Sequence, residues 1–506
     1  MHGRGRDPDR GHDRRPQRPS GLRALNHSGA PLFDELRRFV ERDQAPFYSP
    51  GHKGGRTMDP WFRANIAAID LNNLPDLDTL HCPEGPIADA ERLIADAWGV
   101  GQSFIMVQGS TGGNIAVALS ALRPDEPVLV QRNAHKSVLA GLVQSGARPV
   151  WLEPQWDSRF GVAHGLDTEV VERGLTDSGA KALWLLHPTY YGTTADITAL
   201  DALCRRFGAT LLVDGAHSPH FAFHDDLPPA AERSGAAATV QSVHKILSGL
   251  SQAAVLHIDP ERLDPATVRR ALQLVQTTSP HFAIMASIDL ARSQMACHGS
   301  DLLTETLQRA RRTAQRLAAI PGLQVLRGSD ATGPGTGFCH LDETKLLIGT
   351  RGLAADARAV MARLNRVHGV QPELSGPGHI LCITTIGNTD RDMDRLVDGF
   401  VEVCTHAGTR AGGTDAALVG DLLALRAEPV LTPREAFFAT DATVALADAT
   451  GRVAAEAITP YPPGIPLVMP GERLTADAVA LLRTLRASGT PISASDPTLD
   501  HVKVVR

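Results

Sequence analysis

Three short stretches of this 506-residue chain carry residue types that can do chemistry together. The first, Gln108-Gly109-Ser110-Thr111-Gly112-Gly113-Asn114, lies between an apolar strand pattern and a helical one. Small residues there let backbone N–H groups and the Ser110 and Thr111 hydroxyls approach an anion at a positive helix N-terminus, which is how phosphate is held without a lysine. The plainer reading is a Gly-rich turn with a hydroxyl cap. No Gly-Lys-Ser/Thr follows, so the turn is not a Walker P-loop. The second stretch, Leu211 to His217 (LLVDGAH), ends an apolar strand in Asp214. In an open α/β sheet that edge binds ligands, and a carboxylate there can hold a protonated ring nitrogen or a metal, or merely cap the next turn. The third, Gln241 to Lys245 (QSVHK), sets a lysine beside a hydroxyl and an imidazole thirty-one positions after Asp214. That lysine can form a Schiff base, or it is a solvated surface residue.

Lysine is scarce. Of 50 basic residues only Lys53, Lys136, Lys181, Lys245, Lys345 and Lys503 are lysines, so any lysine chemistry has six candidates. Lys245 alone sits in the frame of phosphate turn, strand-end aspartate and Ser-x-His-Lys, although Lys53 and Lys136 also follow a histidine.

The elements that position these residues alternate between helix and strand. A helix is expected over Ile87 to Trp98, a strand at Ser103 to Val107, and a helix from about Asn114. Further strands are expected at Pro127 to Val130, Pro149 to Leu152, Ala182 to Leu186, Thr210 to Val213 and Ala253 to Ile258. Short apolar strands bounded by helices argue for a mostly parallel sheet covered on both faces. Ahead of it, residues 1 to 23 carry seven Arg and three Asp among Gly and Pro, the composition of a disordered basic arm within residues 1–30. Pro31 to Glu41 reads as a helix able to pack on a partner subunit, opening an N-terminal helix and linker over 31–85. A large domain over 86–300, a small α/β domain over 301–410 entered by a helix from Leu302 to Ala319, a linker at 409–415 and a C-terminal α+β domain over 416–506 complete the expected organisation.

Composition narrows the class. A formal charge of -6 argues against a surface that coats nucleic acid, and 43% apolar residues exclude wholesale disorder. No window approaches the roughly 18 uninterrupted apolar residues of a bilayer span, and no signal-peptide core opens the chain, so a cytoplasmic protein is expected. Six cysteines lie far apart without a C-x-x-C pair, which reads as buried free thiols and signals neither a disulfide framework nor a zinc knuckle.

The chain resembles the Orn/Lys/Arg decarboxylases, pyridoxal 5'-phosphate enzymes of fold type I, from about Pro31 to the C-terminus. The resemblance is carried by PGHKGG (Pro50 to Gly55), PEGPI (Pro83 to Ile87), GSTGGN (Gly109 to Asn114), RNAHKS (Arg132 to Ser137), HPTYYG (His187 to Gly192), DGAH (Asp214 to His217), QSVHK, TTSP (Thr277 to Pro280), PYPPGIP (Pro460 to Pro466) and PGE (Pro470 to Glu472). PEGPI and the PYPPGIP–PGE pair are the specific blocks; pyridoxal enzymes share the others more widely. The N-terminal wing of the long family members has no counterpart here.

The resemblance implies α-decarboxylation of lysine, ornithine or arginine, hence a lyase of polyamine biosynthesis working as a homodimer or larger homo-oligomer on a small-molecule substrate. It implies that Lys245 forms the Schiff base with the cofactor and that Asp214 bonds its ring nitrogen. Ser110, Thr111, Ser242 and His244 would surround the phosphate, His135 would stack on the ring, and Ala216 would pack on its other face beside His217. Thr277 or Thr278 would reach a neighbouring subunit's site, Lys245 or His244 would return the proton, and Glu472 would pair with the substrate's distal cation. Gly215 stands where the family usually has Glu, and Ser218-Pro219 replaces a Gly-Ala pair. Rival readings are a cysteine desulfurase, with Cys339 as its mobile thiol, an aminotransferase, or a non-catalytic paralogue that binds the cofactor.

Overall fold

The computed structural model describes residues 29–376, 378–409, 428–460, 466–487 and 489–506. The basic arm, nearly all of the linker at 409–415 and the middle of PYPPGIP lie outside the described residues. The chain forms two units, one ending at Asp43 and one running from Gln44 to Arg506. In the first, helix α1 (Pro31–Val40) starts on a proline that suits its first turn and leaves Leu32, Phe33, Leu36 and Val40 exposed.

The second unit is built on a seven-stranded sheet. Its strands are β1 (Gln102–Met106), β2 (Pro127–Gln131), β3 (Arg148–Leu152), β4 (Ala182–Leu186), β5 (Thr210–Asp214), β6 (Ala238–Gln241) and β7 (Ala254–Ile258). They lie in the order β1-β7-β6-β5-β4-β2-β3, and only β7 pairs antiparallel with its neighbours. Successive side chains on a strand point to opposite faces, and here both faces are apolar. Val128, Val130, Trp184, Leu212 and Val240 pack on one side, while Leu129, Leu183, Leu185, Leu211 and Val213 pack on the other. Strand β6 is missing from the sequence reading because Ala-Thr-Val-Gln has no apolar run; its place in the middle of the sheet makes it a strand.

Helix α2 (Pro86–Trp98) begins on a proline and stops at Gly99 in the left-handed conformation. Helix α3 (Gly109–Ala121) begins five residues before the expected start, so the Gly-Ser-Thr-Gly-Gly stretch is its first turn rather than a loop before it. Glycine serves packing there: a Cβ on Gly113 would lie 2.6 Å from Cγ1 of Val240. Helix α4 (Lys136–Ser145) follows β2 with His135 as its N-cap.

Helix α5 (Phe282–Ala318) starts twenty residues earlier than the expected Leu302 and crosses the expected domain boundary at 300 without a break. Small and polar residues such as Ser287, Ser293 and Cys297 mask its apolar stripe, yet Ile284, Met285, Ile288, Ala291 and Met295 face one core. Beyond it, strands β8 (Gln324–Val325), β9 (Lys345–Gly349), β10 (Leu374–Gly376) and β11 (His379–Ile383) form an antiparallel sheet in the order β8-β9-β11-β10. Helices α6 (Ala357–His368) and α7 (Asp390–Ala407) cover it through Val360, Leu364, Leu396 and Phe400. The last piece pairs β12 (Asp441–Ala445) with β13 (His501–Val505) and packs helix α8 (Ala476–Ala487) into its own core through Val479, Leu482 and Leu485. Among the described residues no helix is long and apolar enough to cross a membrane.

Candidate active site

The carboxyl ends of β1, β2, β5 and β6 all open at one edge, and each is followed by one of the sequence-predicted stretches. That common direction is why residues more than a hundred positions apart can meet.

Asp214 ends β5 and is 3% exposed. Its Oδ2 accepts from Asn114 Nδ2 at 2.9 Å and its Oδ1 from the Ala216 N–H at 3.1 Å, so the carboxylate is fixed from two sides. Asn114 also donates to Ser137 Oγ at 2.8 Å, and Ser137 shares a 2.8 Å hydrogen bond with His135 Nδ1. One chain of bonds thus ties the phosphate-turn helix, the strand-end acid and the expected stacking residue. Burial holds the His135 imidazole below its ordinary pKa, with Asp214 opposing.

Ser242 follows β6 and donates to Ser110 Oγ at 2.9 Å, which places the two hydroxyls together at the N-terminus of α3. That terminus has no side-chain cap, and Thr111 is exposed on the same turn. Unpaired N–H groups and hydroxyls at a helix start form an anion site. Ala216 is 5% exposed, and its carbonyl accepts from the Ser242 N–H at 3.3 Å.

Lys245 Nζ lies 3.0 Å from His217 Nε2. Burial lowers the lysine's pKa, with Asp214 and Glu373 opposing, and burial followed by the Lys245 charge lowers that of His217 well below its usual value. A neutral His217 can therefore accept a hydrogen bond from Lys245. His244 donates Nδ1–H to the Ala253 carbonyl at 2.9 Å, and burial lowers its pKa to about 4. Its Nε2 is then an acceptor, so a phosphate contact from His244 needs the dianion to draw a proton onto the ring.

The departure at Gly215 has a local cause. A Cβ there would lie 2.7 Å from Ser218 Oγ and 2.9 Å from Thr239 Cγ2, and that same hydroxyl donates to the Gly215 carbonyl at 2.9 Å. Ser218 occupies the space that glutamate would need, so the two departures compensate each other.

Glu472 meets a partner other than the one expected. Arg132, directly after β2, grips both of its carboxylate oxygens, with Nη2 to Oε2 at 2.9 Å, and the Met469 N–H adds a bond to Oε2 at 2.8 Å. Both side chains are about 5% exposed (6% and 5%). The charge that was to meet a substrate cation is compensated inside the chain. Thr277 and Thr278 lie on the surface, their carbonyls accepting from His81 and Asn73, and no described bond links them to Lys245.

Sequence reasoning missed Glu373. Its Oε1 accepts from Tyr190 OH at 2.5 Å and its Oε2 from the Ser49 N–H at 3.0 Å, and it opposes the burial of Lys53, Lys245 and Lys345. Nothing local marks the acid in Gln-Pro-Glu-Leu; Tyr190 and Ser49 approach it only in the folded chain. The cysteines also differ from expectation. Cys204, Cys382 and Cys404 are buried, but Cys82 and Cys297 are exposed and Cys339 is half-buried. Desolvation raises the Cys339 pKa, the opposite of what a persulfide-forming thiol requires.

Comparison with known proteins gives two family matches, "Orn/Lys/Arg decarboxylase, major domain" over residues 30–332 and "Orn/Lys/Arg decarboxylase, C-terminal domain" over residues 417–492. The arginine decarboxylase of Bacillus subtilis is 35% identical over 95% of this chain and 99% of its own. The constitutive lysine decarboxylase of Escherichia coli is 26% identical over 90% of this chain and 77% of its own. The crystal structure of the Francisella novicida lysine decarboxylase superposes with a TM-score of 0.76 at 22% identity, covering 94% of this chain and 81% of that one, which shows a common fold.

Proposed function

This chain belongs to the Orn/Lys/Arg decarboxylase family, and from that premise we propose that it converts L-arginine to agmatine and CO₂. The protein is an amino-acid decarboxylase of fold type I, and its cofactor is pyridoxal 5'-phosphate. The residues present fit that group: an uncapped helix start with two hydroxyls together, a buried carboxylate held by two donors, and a half-buried lysine bonded to a neutral imidazole. Bound there, the cofactor supplies the electron sink into which the bond to the leaving CO₂ collapses.

The chain's own residues do the rest. Ser110, Thr111, Ser242 and the N–H groups that follow Gly109 in the first turn of α3 would hold the phosphate, the Gly109 N–H itself bonding the Gln252 carbonyl at 3.0 Å. Asp214, fixed by Asn114 and Ala216, would hold the ring nitrogen. Ala216 and His135 would pack against the ring. Lys245 is the attachment point, because its lowered pKa makes the amine nucleophilic. It is also the proton donor, since the neutral His244 has its one ring proton on Ala253.

Arginine is favoured because the relative named an arginine decarboxylase is the more similar and matches end to end. The product belongs to polyamine biosynthesis. The working unit is a homodimer, and Thr277 and Thr278, at the surface here, reach the partner's site. Six free thiols suit a reducing cytoplasm. The single observation that carries the reading is the meeting of Lys245, His217 and Asp214 at one sheet edge. Mass spectrometry on holoenzyme given arginine, lysine and ornithine in competition tests it. Agmatine should dominate, and faster release of cadaverine or putrescine overturns the substrate.

A further inference from the structure

Three of the six lysines, the buried Lys53 and Lys345 and the half-buried Lys245, share one acid, Glu373. Two of the three ammonium groups have partners. Lys53 Nζ donates to the Tyr48 and Ile383 carbonyls, and Lys245 Nζ meets His217. Lys345 differs. It opens β9, is 1% exposed, and its Nζ has no hydrogen-bond partner among the described residues.

Its acidic neighbours, Asp342 and Glu373, oppose the burial of the ammonium without hydrogen-bonding it. Asp342 Oδ1 accepts from the Thr344 N–H and hydroxyl at 3.0 and 2.6 Å, and its Oδ2 faces His220 at 3.3 Å. Glu373 has both oxygens on Tyr190 and Ser49. The stem of Lys345 is also confined, since a Cβ on Gly192 would lie 2.8 Å from its Cγ. A confined, buried cation without a partner is costly unless an anion completes it. The turn at Gly192 that confines it also carries Tyr190, whose ring centre lies 4.6 Å from that of His217, the partner of Lys245, so an anion here comes beside the place where the substrate amine must arrive.

A basic amino acid carries one anion, its α-carboxylate, and loses it in the reaction. Its distal cation would be repelled here. We infer that Lys345 binds the α-carboxylate of the substrate, so that this pocket favours the amino acid over the amine it becomes. The inference rests on the reading of the site as a basic-amino-acid decarboxylase. Once CO₂ has left, Lys345 is unpaired again and the product has lost a contact that the substrate had, which aids release. Binding of this kind lowers KM and contributes little to kcat.

The test compares ligands with and without the carboxylate on holoenzyme, read as dissociation constants from the visible band of the bound cofactor. The probes are α-methylarginine and agmatine, with α-methyllysine and cadaverine in parallel. A wrong side chain then shows as a pair that does not bind, and carboxylate selectivity is read from the pair that does. In Lys345→Met the α-methyl amino acid should bind about tenfold more weakly or worse, the worth of one charged hydrogen bond, with the amine unchanged. Independently of any variant, the methyl ester of the same amino acid should bind the unaltered enzyme about tenfold more weakly than its α-methyl counterpart. Equal weakening of acid and amine, loss of the cofactor band from Lys345→Met, or equal binding of ester and acid would each overturn the assignment.

Discussion

The pair between Arg132 and Glu472 joins residues 340 positions apart, one at the end of a strand of the large sheet and one in the C-terminal piece. Glu472→Gln perturbs it with almost no change of shape. The guanidinium has two N–H groups on the carboxylate and one on the Leu467 carbonyl at 2.9 Å, and it lies 5.4 Å from the centre of the Trp151 ring. Glutamine returns one acceptor, turns an amide N–H₂ toward a donor, and leaves a buried cation without its counter-charge. Removing one partner of such a pair costs about 3 to 5 kcal/mol, which is roughly a hundred- to several-thousand-fold in the opening of the C-terminal piece. Native-state hydrogen exchange on the amides of β12, β13 and α8 reads that opening directly. Exchange there should quicken by that factor, with the cofactor band retained. Replacing both residues by methionine should recover most of the loss, because the desolvation penalty disappears with the charges. Unchanged exchange together with a raised KM for the amino acid would refute the argument and return Glu472 to the substrate's distal cation.

Other outcomes follow from the same geometry. Asp214→Asn keeps an acceptor for Asn114 and removes the charge, so cofactor should remain bound while decarboxylation falls by orders of magnitude; near wild-type turnover would make Asp214 a structural residue only. Both carboxylate oxygens of Glu232 are buried, and burial raises its pKa to about 7 from 4.5, with its own backbone N–H, Gln241 and the Arg233 charge opposing. Because the folded value is the higher one, its contribution is complete below about pH 4.5 and is lost as pH rises through about 7, a difference of roughly 3 kcal/mol. Urea midpoints at pH 5 and pH 8 should therefore separate Glu232→Gln from wild type, with the variant the more stable at the higher pH; parallel pH trends in the two proteins would contradict this. Subunits carrying Lys245→Ala, mixed with subunits carrying Thr277→Ala and Thr278→Ala, should regain partial activity if the threonines serve the partner's site, whereas a fully active monomer would contradict the exchange.

The residues proposed to hold the cofactor stand out in the sequence because the pattern that suggests them is local. A phosphate turn must sit between a strand and a helix, an acid at a strand end must follow apolar residues, and a lysine must follow both. Parallel strands deliver all three to one edge without further instruction. The strands of the seven-stranded sheet followed from apolar runs, except β6, whose Ala-Thr-Val-Gln becomes a strand only between β5 and β7, whereas β8 to β13 are missing from the sequence reading. Partnership was not legible. Residue type makes Glu472 an acid, but which cation it meets depends on where two distant segments dock, and the fold brings Arg132 there first. Glu373 carries no spacing signal and acquires its place from Tyr190, 183 positions away. Lys345 was visible as one lysine among six, while its burial and lack of a partner come from β9 and the turn at Gly192 closing around it. Sequence periodicity encodes which face a residue shows; charge pairing is settled by distance in space, and only the packed chain sets that distance.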